Sequence, residues 1–573
     1  MESVDLVVVG AGVHGLSVSK TYKSANPLAS ILILDRNSTI GGVWAQDKLY
    51  PGLKTNNHIG SFEFSDYPMN RDGFSENDHI PGQVVHIYLH DYAEKNDLLQ
   101  HVRFNCSVIS AEDKGQDGWV VTVMDEADPG SMPMKIKAAK LVVATGLTSD
   151  PFLPTFEGQD NFSAPIYHSS EFAKELNGLG PFKKVVILSG AKFSWDIASA
   201  YASAGVSVDW IIRASGHGPC YMTPNRLTPW KIIPELLLQT RLITWLSPCI
   251  WGDADGYGLI RWFFHQTWLG RKIVDWFFQW MEKGVVGPNG YANHPETAKL
   301  RPWDDIFWIG TNRGLLNYDI DFFELVRNGN IRIHIADITH LSHHTIHLSD
   351  SQTLSADVLI CGTGWKHTPT IKFISDKELG LPSTSPKTSS PYTHRADTKI
   401  LSTFPKLASQ PPHRPNLKPM NSSKIGSLTE PYRLYRFMVP PSFIKARTLA
   451  FAGAYRSPAV PLIAQTQALW ITAFFGNQIG NLQGSGKEFE DHIMYETVLH
   501  SQFGKWRHPR GFGDCFPEIW FDSLPYMDLM LAEVGVEGYR KTSWWRECFE
   551  PYQLADYKGV VEEWKEKRKE KSL

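Results

Sequence analysis

The sequence predicts an α/β fold built on two Rossmann-like units, with an aromatic helical insertion and a C-terminal extension. Three observations predict it. Residues 4–9 read as a buried parallel strand that runs into Gly10-Ala11-Gly12-Val13-His14-Gly15. A second strand–turn–helix–strand unit begins at Lys184. Two more apolar strands, 140–143 and 357–361, close on the small-residue turns Ala144-Thr145-Gly146 and Gly362-Thr363-Gly364. At 573 residues, the chain is long enough for two to four domains.

The first unit is complete. After the glycine run comes a helix over 16–22, then a strand over 31–34 that ends at Asp35. Gly10 permits the tight turn. Gly12 lets a pyrophosphate approach the backbone N–H groups at the helix N-terminus, and Gly15 lets helix and strand pack closely. Asp35 is placed to accept hydrogen bonds from a ribose. A strand before, a helix after and an acid at the right distance are what make this motif a dinucleotide site.

Which dinucleotide follows from the next residues. Gly41-Gly42-Val43-Trp44 comes just after the acid strand, and paired glycines let backbone pass close to a cofactor. Strands closing on Thr145-Gly146 and Thr363-Gly364 are the crossings expected between an FAD domain and an NADP domain. The set favours FAD at the first site.

The second unit is degenerate. Its strand, 184–188, leads to Ser189-Gly190-Ala191-Lys192-Phe193-Ser194, a helix over 195–204 and a strand over 206–212. Ser189, Ala191 and Ser194 stand where the three glycines would be. All are small, so the turn can form. Arg213 ends the second strand, where an NAD site prefers an acid, and suits the 2′-phosphate of NADPH. A βαβ unit that has lost its ligand is the alternative.

In this order the motifs resemble those of the flavin-containing monooxygenases, class B flavoproteins, and among them the divergent fungal secondary-metabolism branch. The resemblance covers most of residues 1–480. It rests on GAGVHG, GGVW, Leu53-Lys54-Thr55-Asn56, Phe64-Ser65-Asp66-Tyr67-Pro68, the A-T-G strand with Pro151 and Pro154, Thr363-Gly364-Trp365, and Leu449–Gly453 leading to Gln465-Thr466-Gln467. The family signature F-x-G-x-x-x-H stands as Phe162–His168, with Ala164 in place of its glycine, and the Phe172-Ala173 that follows disfavours the Baeyer–Villiger subtype.

The resemblance implies FAD and NADPH as cofactors and dioxygen as co-substrate. NADPH would reduce the flavin, and a flavin 4a-hydroperoxide would oxygenate a small or medium apolar metabolite. Asn56 matches the family's active-site asparagine at the flavin edge. The cofactor-binding set is Gly10, Gly12, Gly15, Asp35, Gly42, Trp44 and Asn56, then Thr145, Gly146, Gly190, Lys192, Ser194 and Arg213, and finally Thr363, Gly364 and Gln467. Two other functions stay open: a flavin oxidase or dehydrogenase without NADPH use, and a non-redox flavin-bound catalyst or binding scaffold.

Composition narrows the classes. A net charge of −3 offers no field for nucleic acid. The 20 Trp, 20 Tyr and 30 Phe suit an apolar pocket. The six cysteines are scattered, without a C-x-x-C pair, which fits a reducing, cytoplasmic setting. His340, His343, His344 and His347 are read as decoration of a hairpin with strands 331–335 and 345–348, and no metal site is expected. Gly484-Ser485-Gly486-Lys487 reads as a loop before a helix. The apolar start at 6–9 does not read as a signal peptide, nor Lys571-Ser572-Leu573 as a peroxisomal address.

The expected domains are FAD-binding over 1–178 and 340–478, NADP-binding over 179–339, and an extension over 479–573. Two segments interrupt them. Residues 225–290 are aromatic-rich helices, read first as a cap over the substrate site and second as a patch on a membrane surface. Residues 382–424 are rich in Pro, Ser and Thr and read as a long loop.

Overall fold

The structure is a computed structural model. It describes residues 1–572 except 77, 176–178, 228–231, 311, 384–389, 413, 419, 421–429, 510–512 and 514. The first unit opens with β1 (Glu2–Val9), α1 (Val13–Ala25) and β2 (Ile31–Leu34), followed by β3 (Lys54–His58). It continues through β4 (Val102–Arg103), β5 (Cys106–Asp113), β6 (Trp119–Asp125) and β7 (Met134–Val143). The second unit contributes β8 (Ile166–His168), β9 (Lys184–Leu188), α2 (Lys192–Ser203), β10 (Ser207–Ile212) and β11 (Tyr221–Thr223).

The aromatic insertion folds as α3 (Pro234–Leu238), α4 (Arg241–Leu246), α5 (Gly258–Gln266) and α6 (Trp268–Asn289). Then come β12 (Arg313–Leu315), β13 (Ile331–Ile335), β14 (Val358–Cys361), β15 (Lys372–Ile374), α7 (Pro391–Thr403) and β16 (Leu449–Phe451). The chain closes with α8 (Val460–Phe475), α9 (Lys487–Arg507), α10 (Ser523–Val534), α11 (Trp544–Phe549) and α12 (Val560–Ser572).

The first sheet runs β15-β5-β6-β7-β1-β2-β4, with β16 also on β7. β1 pairs in parallel with both β2 and β7, setting Val7 beside Leu32 and Leu141. Strands with parallel neighbours on both sides and helices on their faces must be apolar throughout. The pattern follows: Leu6–Val9 and Leu141–Val143 are buried, whereas the part of β7 that pairs with antiparallel β6 alternates. α8, buried along nearly its whole length, fills the space between α1 and α10.

The second sheet, β8-β14-β9-β10-β13, is parallel throughout. The two Rossmann-like units are therefore present. Their boundaries differ from 178/179 and 339/340. β8 and β14 lie outside the range 179–339 yet hydrogen-bond into this sheet, because β14 is the strand that flanks β9. Leu341, Ile346, Leu348 and Leu354 pack against its Val186, Leu188 and Ile211. These four lie in and beside the hairpin of 338–342 with 345–348, so β13 is a sheet strand and not a hairpin arm. His340 stacks on His347 there, centroids 4.0 Å apart.

The 382–424 segment is not all loop. α7 lies within it, started by Ser390, whose hydroxyl accepts the Tyr392 N–H, with Pro391 at the first helical position. The extension is joined to the insertion by buried charge. Arg241 on α4 donates to Asp528 of α10 at 2.6 Å, to Glu547 of α11 at 3.0 Å and to the Tyr552 hydroxyl at 3.0 Å.

Candidate active site

The first glycine turn has no room for side chains. A Cβ at Gly15 would lie 1.8 Å from the Gly10 carbonyl oxygen, and one at Gly10, whose φ is +110°, 2.5 Å from the Ala144 oxygen. Close helix–strand packing is thus built into Gly15. Gly12 differs: a Cβ there would lie 3.5 Å from the Gly42 Cα, so Gly12 and Gly42 face each other across a narrow backbone gap. No side chain caps α1, and its first turn holds no acid, so its N-terminal N–H groups are left for an anion. Asp35 is buried and holds the turn itself: it accepts from the Ala11 N–H at 2.6 Å and from the Asn37 N–H and side-chain amide, each at 2.8 Å.

A cavity of about 760 Å³ opens from this turn. Of the expected residues, Gly10, Gly12, Asp35, Gly42, Trp44, Asn56, Thr145 and Gly146 line it. Asn56 sits on β3 with its side chain toward the cavity, and both neighbours are pinned. The Thr55 carbonyl accepts from Asn317 at 3.2 Å. The Asn57 amide donates to the Pro458 carbonyl at 3.1 Å and to the Glu235 carboxylate.

Glu235 was not foreseen. It stands on α3, is buried, and also accepts the His58 N–H at 3.3 Å. Leu238 on the same helix, Val460 at the start of α8 and Trp520 from the extension complete that end of the wall. Arg313 on β12 lines it too; burial pushes its guanidinium down to about 10, and it donates to the carbonyls of Ile306, Ile309 and Gly310. His14 bonds the Tyr455 hydroxyl at 2.9 Å, and burial pushes its imidazole down to about 4, so it is neutral near pH 7.

The remaining expected residues do not reach this cavity. Gln467 is fully buried behind it, accepting from the Gly453 N–H at 3.0 Å and donating to Tyr526 at 2.9 Å. Thr363 donates to the Phe152 carbonyl at 2.5 Å, and the Gly364 carbonyl accepts from His168 at 2.8 Å, so this turn ties the two units together. In the second turn, Ser189 takes φ +141°, a glycine-like conformation forced on a serine. A Cβ on Gly190 would lie 2.3 Å from the Gly218 oxygen, and Ser194 packs against Gly362. Lys192 pairs with Asp196 and reaches Tyr318 at 3.1 Å. Arg213 pairs with Asp337 at 3.3 Å and donates to the Ser215 hydroxyl and the Lys418 carbonyl.

Residues 4–251 match the family described as flavin-binding monooxygenase-like. The FAD-dependent monooxygenase resA of Aspergillus sclerotiorum is 31% identical, over 98% of this chain and 98% of its own. An FAD-dependent monooxygenase of Pyrenophora dematioidea is also 31% identical, over 94% of this chain and 98% of its own. The chain belongs to the flavin-binding monooxygenase-like family.

This monooxygenase has the fold of solved relatives as well. A caprolactone-bound cyclohexanone monooxygenase superposes with a TM-score of 0.60 at 16% identity, covering 94% of this chain and 99% of that one. The family is flavin-binding and its relatives are FAD-dependent, so the enzyme is an FAD-dependent oxidoreductase. The residues present fit FAD: the Gly12–Gly42 gap leaves backbone open where a Cβ would intrude, and the uncapped α1 terminus faces it. The second turn keeps its glycine-like geometry at Ser189, while Arg213 and Lys192 hold internal partners. Among the described residues, no helix is long and apolar enough to cross a membrane.

Proposed function

We propose that the monooxygenase oxygenates a small or medium apolar metabolite of fungal secondary metabolism, with Asn56 as the residue at the reacting edge of the flavin. The observation that carries this is the placement of Asn56. It lies in the same cavity as the Gly10–Gly12 turn, at the end walled by Leu238, Val460 and Trp520. Bound FAD supplies the redox chemistry that lets NADPH and dioxygen act on one substrate.

The chain's own residues do the rest. Gly12, Gly42 and the α1 N-terminus hold the pyrophosphate end, where partial positive charge meets anionic oxygens. Asn56 offers a neutral amide that donates a hydrogen bond without releasing a proton. Its position is set from both sides, through Asn317 and through the Glu235–Asn57 contact. Apolar Leu238, Val460 and Trp520 keep water from the reacting centre. Ser189, Gly190, Lys192, Ser194 and Arg213 form the region that receives NADPH, with Arg213 beside the 2′-phosphate.

Anaerobic NADPH should bleach the flavin absorbance, and labelled dioxygen should appear in the product of an apolar substrate by mass spectrometry. Asn56→Leu should bind FAD and still bleach, yet release several-fold more hydrogen peroxide per NADPH. Failure of NADPH to bleach the flavin would instead favour an oxidase. Unchanged coupling in Asn56→Leu would remove the role given to Asn56.

A further inference from the structure

The outer face of the insertion has a composition that the active site does not explain. Among the described residues, every exposed tryptophan lies on α5, α6 or α11: Trp262, Trp268, Trp276, Trp544 and Trp545, each between 58% and 69% exposed. The other tryptophans with described burial are at least partly withdrawn from solvent. Exposed large apolar residues scattered singly need no explanation, but five tryptophans on three neighbouring helices do.

Their arrangement is ordered. At about 100° per residue, the exposed positions of α6 up to Lys283 (Trp268, Leu269, Lys272, Trp276, Gln279 and Lys283) fall within one arc of about 100°; of the two exposed in its last turn, Gly287 extends that arc and Pro288 leaves it. Val274, Phe277, Phe278, Met281 and Val285 fall on the opposite side and are buried in the core. α5 packs on α6 and adds Leu259 and Trp262 to the outer side. α11 packs on α4, its Cys548 meeting the Tyr257 hydroxyl just before α5, and adds Trp544 and Trp545.

The charge on this stripe is one-sided. Lys272 lies one turn from both Trp268 and Trp276, and Lys283 lies further along the same arc. Neither lysine has an ion-pair partner among the described residues, although the chain as a whole carries a net charge of −3. The acids of α6 border one edge of the arc and do not fall within it: Asp275, about 20° beyond Trp268, is half-buried and paired with Lys406, and Glu282, about 40° beyond it, is half-buried. Tryptophan with lysine, and no carboxylate between them, is the pattern of a helix lying in the interface of an anionic bilayer. The indoles sit at headgroup depth and the ammonium groups meet lipid phosphates and carboxylates.

We propose that the α5–α6 face, extended by α11, docks this enzyme on an anionic membrane surface without spanning it. The insertion then has two working ends. α3 gives Glu235 and Leu238 to the cavity wall, while α5 and α6, joined to it through α4, face the lipid. The docking does not depend on which substrate is oxygenated, so its test stands apart from that of the proposed function.

The experiment is co-sedimentation of the full-length, FAD-loaded enzyme with vesicles of phosphatidylcholine alone or mixed with phosphatidylserine. Binding is expected to the mixed vesicles and to weaken as salt is raised. The triple variant Trp262→Ser, Trp268→Ser, Trp276→Ser should bind them at least about tenfold more weakly. Its NADPH oxidation in solution should be unchanged, since none of the three lines the cavity. Lys272→Glu with Lys283→Glu should lower binding to the anionic vesicles by about tenfold or more and narrow the difference between the two vesicle types. Brominated phosphatidylcholine should quench tryptophan fluorescence of the unaltered enzyme, a reading that needs no variant. No sedimentation with either vesicle overturns the proposal, as does binding that the triple variant leaves intact. A dimer that the triple variant dissociates, with no vesicle binding, overturns it in favour of a second copy covering this face.

Discussion

The Glu235 carboxylate on α3 accepts the side-chain amide of Asn57, so the strand that carries Asn56 is fastened to the aromatic insertion and not only to its own sheet. The same carboxylate takes the His58 N–H, which makes two contacts on the two residues after Asn56. Glu235→Ala should therefore loosen Asn56 while leaving the FAD turn untouched. The expected result is normal flavin content with several-fold more peroxide released per NADPH. Glu235→Gln, which keeps an acceptor oxygen, should restore much of the coupling. Equal coupling in all three proteins would show that Glu235 does not position Asn56.

The glycines of the first turn should separate folding from binding. A methyl at Gly15 would collide with backbone at 1.8 Å, so Gly15→Ala should fold poorly. A methyl at Gly12 meets backbone of Gly41 and Gly42 no closer than 3.5 Å, which is ordinary contact. Gly12→Ala should keep its secondary structure by circular dichroism yet lose the yellow colour, because the methyl occupies the path of the pyrophosphate. A Gly12→Ala protein that retains flavin would place the pyrophosphate elsewhere.

Arg213 gives a test of nucleotide choice. Its guanidinium is shared with Asp337 at 3.3 Å, so a 2′-phosphate would have to compete with that carboxylate. Arg213→Ala should raise KM for NADPH roughly tenfold and leave KM for NADH nearly unchanged, about 1.4 kcal/mol of binding. Asp337→Asn should lower KM for NADPH. Parallel changes for both nucleotides would mean that Arg213 serves the fold alone.

Stability should fall on mild acidification. Burial pushes His265, His367 and His500 down to about 3 from an ordinary value of 6.5. His500 also accepts from Arg436 at 3.2 Å, so a second proton would set two cations in contact. Between pH 6.5 and 3 the unfolded chain binds protons at these sites that the folded chain does not. Stability is then full above pH 6.5 and declines as pH falls through that window. Melting temperature measured from pH 7.5 to 5 should drop, and His500→Gln should flatten the slope.

Breaking the charge cluster that joins insertion to extension should cost more. Arg241→Ala leaves Asp528 and Glu547 buried without their partner. A loss of about 3–5 kcal/mol is expected from chemical denaturation. A loss under about 1 kcal/mol would mean the network adds little.

What the sequence determined by itself is what local spacing encodes. Gly15 meets the Gly10 carbonyl five residues earlier, so the close helix–strand packing expected of it holds in the folded chain because turn, helix and strand are contiguous, whereas Gly10 and Gly12 meet the distant Ala144 and Gly42. The alternation in β7 and the unbroken apolar run of β1 mark one-sided and two-sided pairing in the same direct way. Ser390-Pro391 was equally local, a helix start overlooked beneath a loop-like composition. The tertiary structure alone decided which residues meet. Glu235, Arg313 and Trp520 reach the cavity from three distant segments, each unremarkable in its own stretch of chain, because burial and chain reversal bring them there. It also decided that β14 completes the second sheet, since parallel pairing carries no signal in the residues between the partners. Arg213 was legible as a cation at a strand end, but its bond to Asp337 was not. Nor was the outward turn of Trp268 and Trp276, which depends on which face of α6 the core accepts.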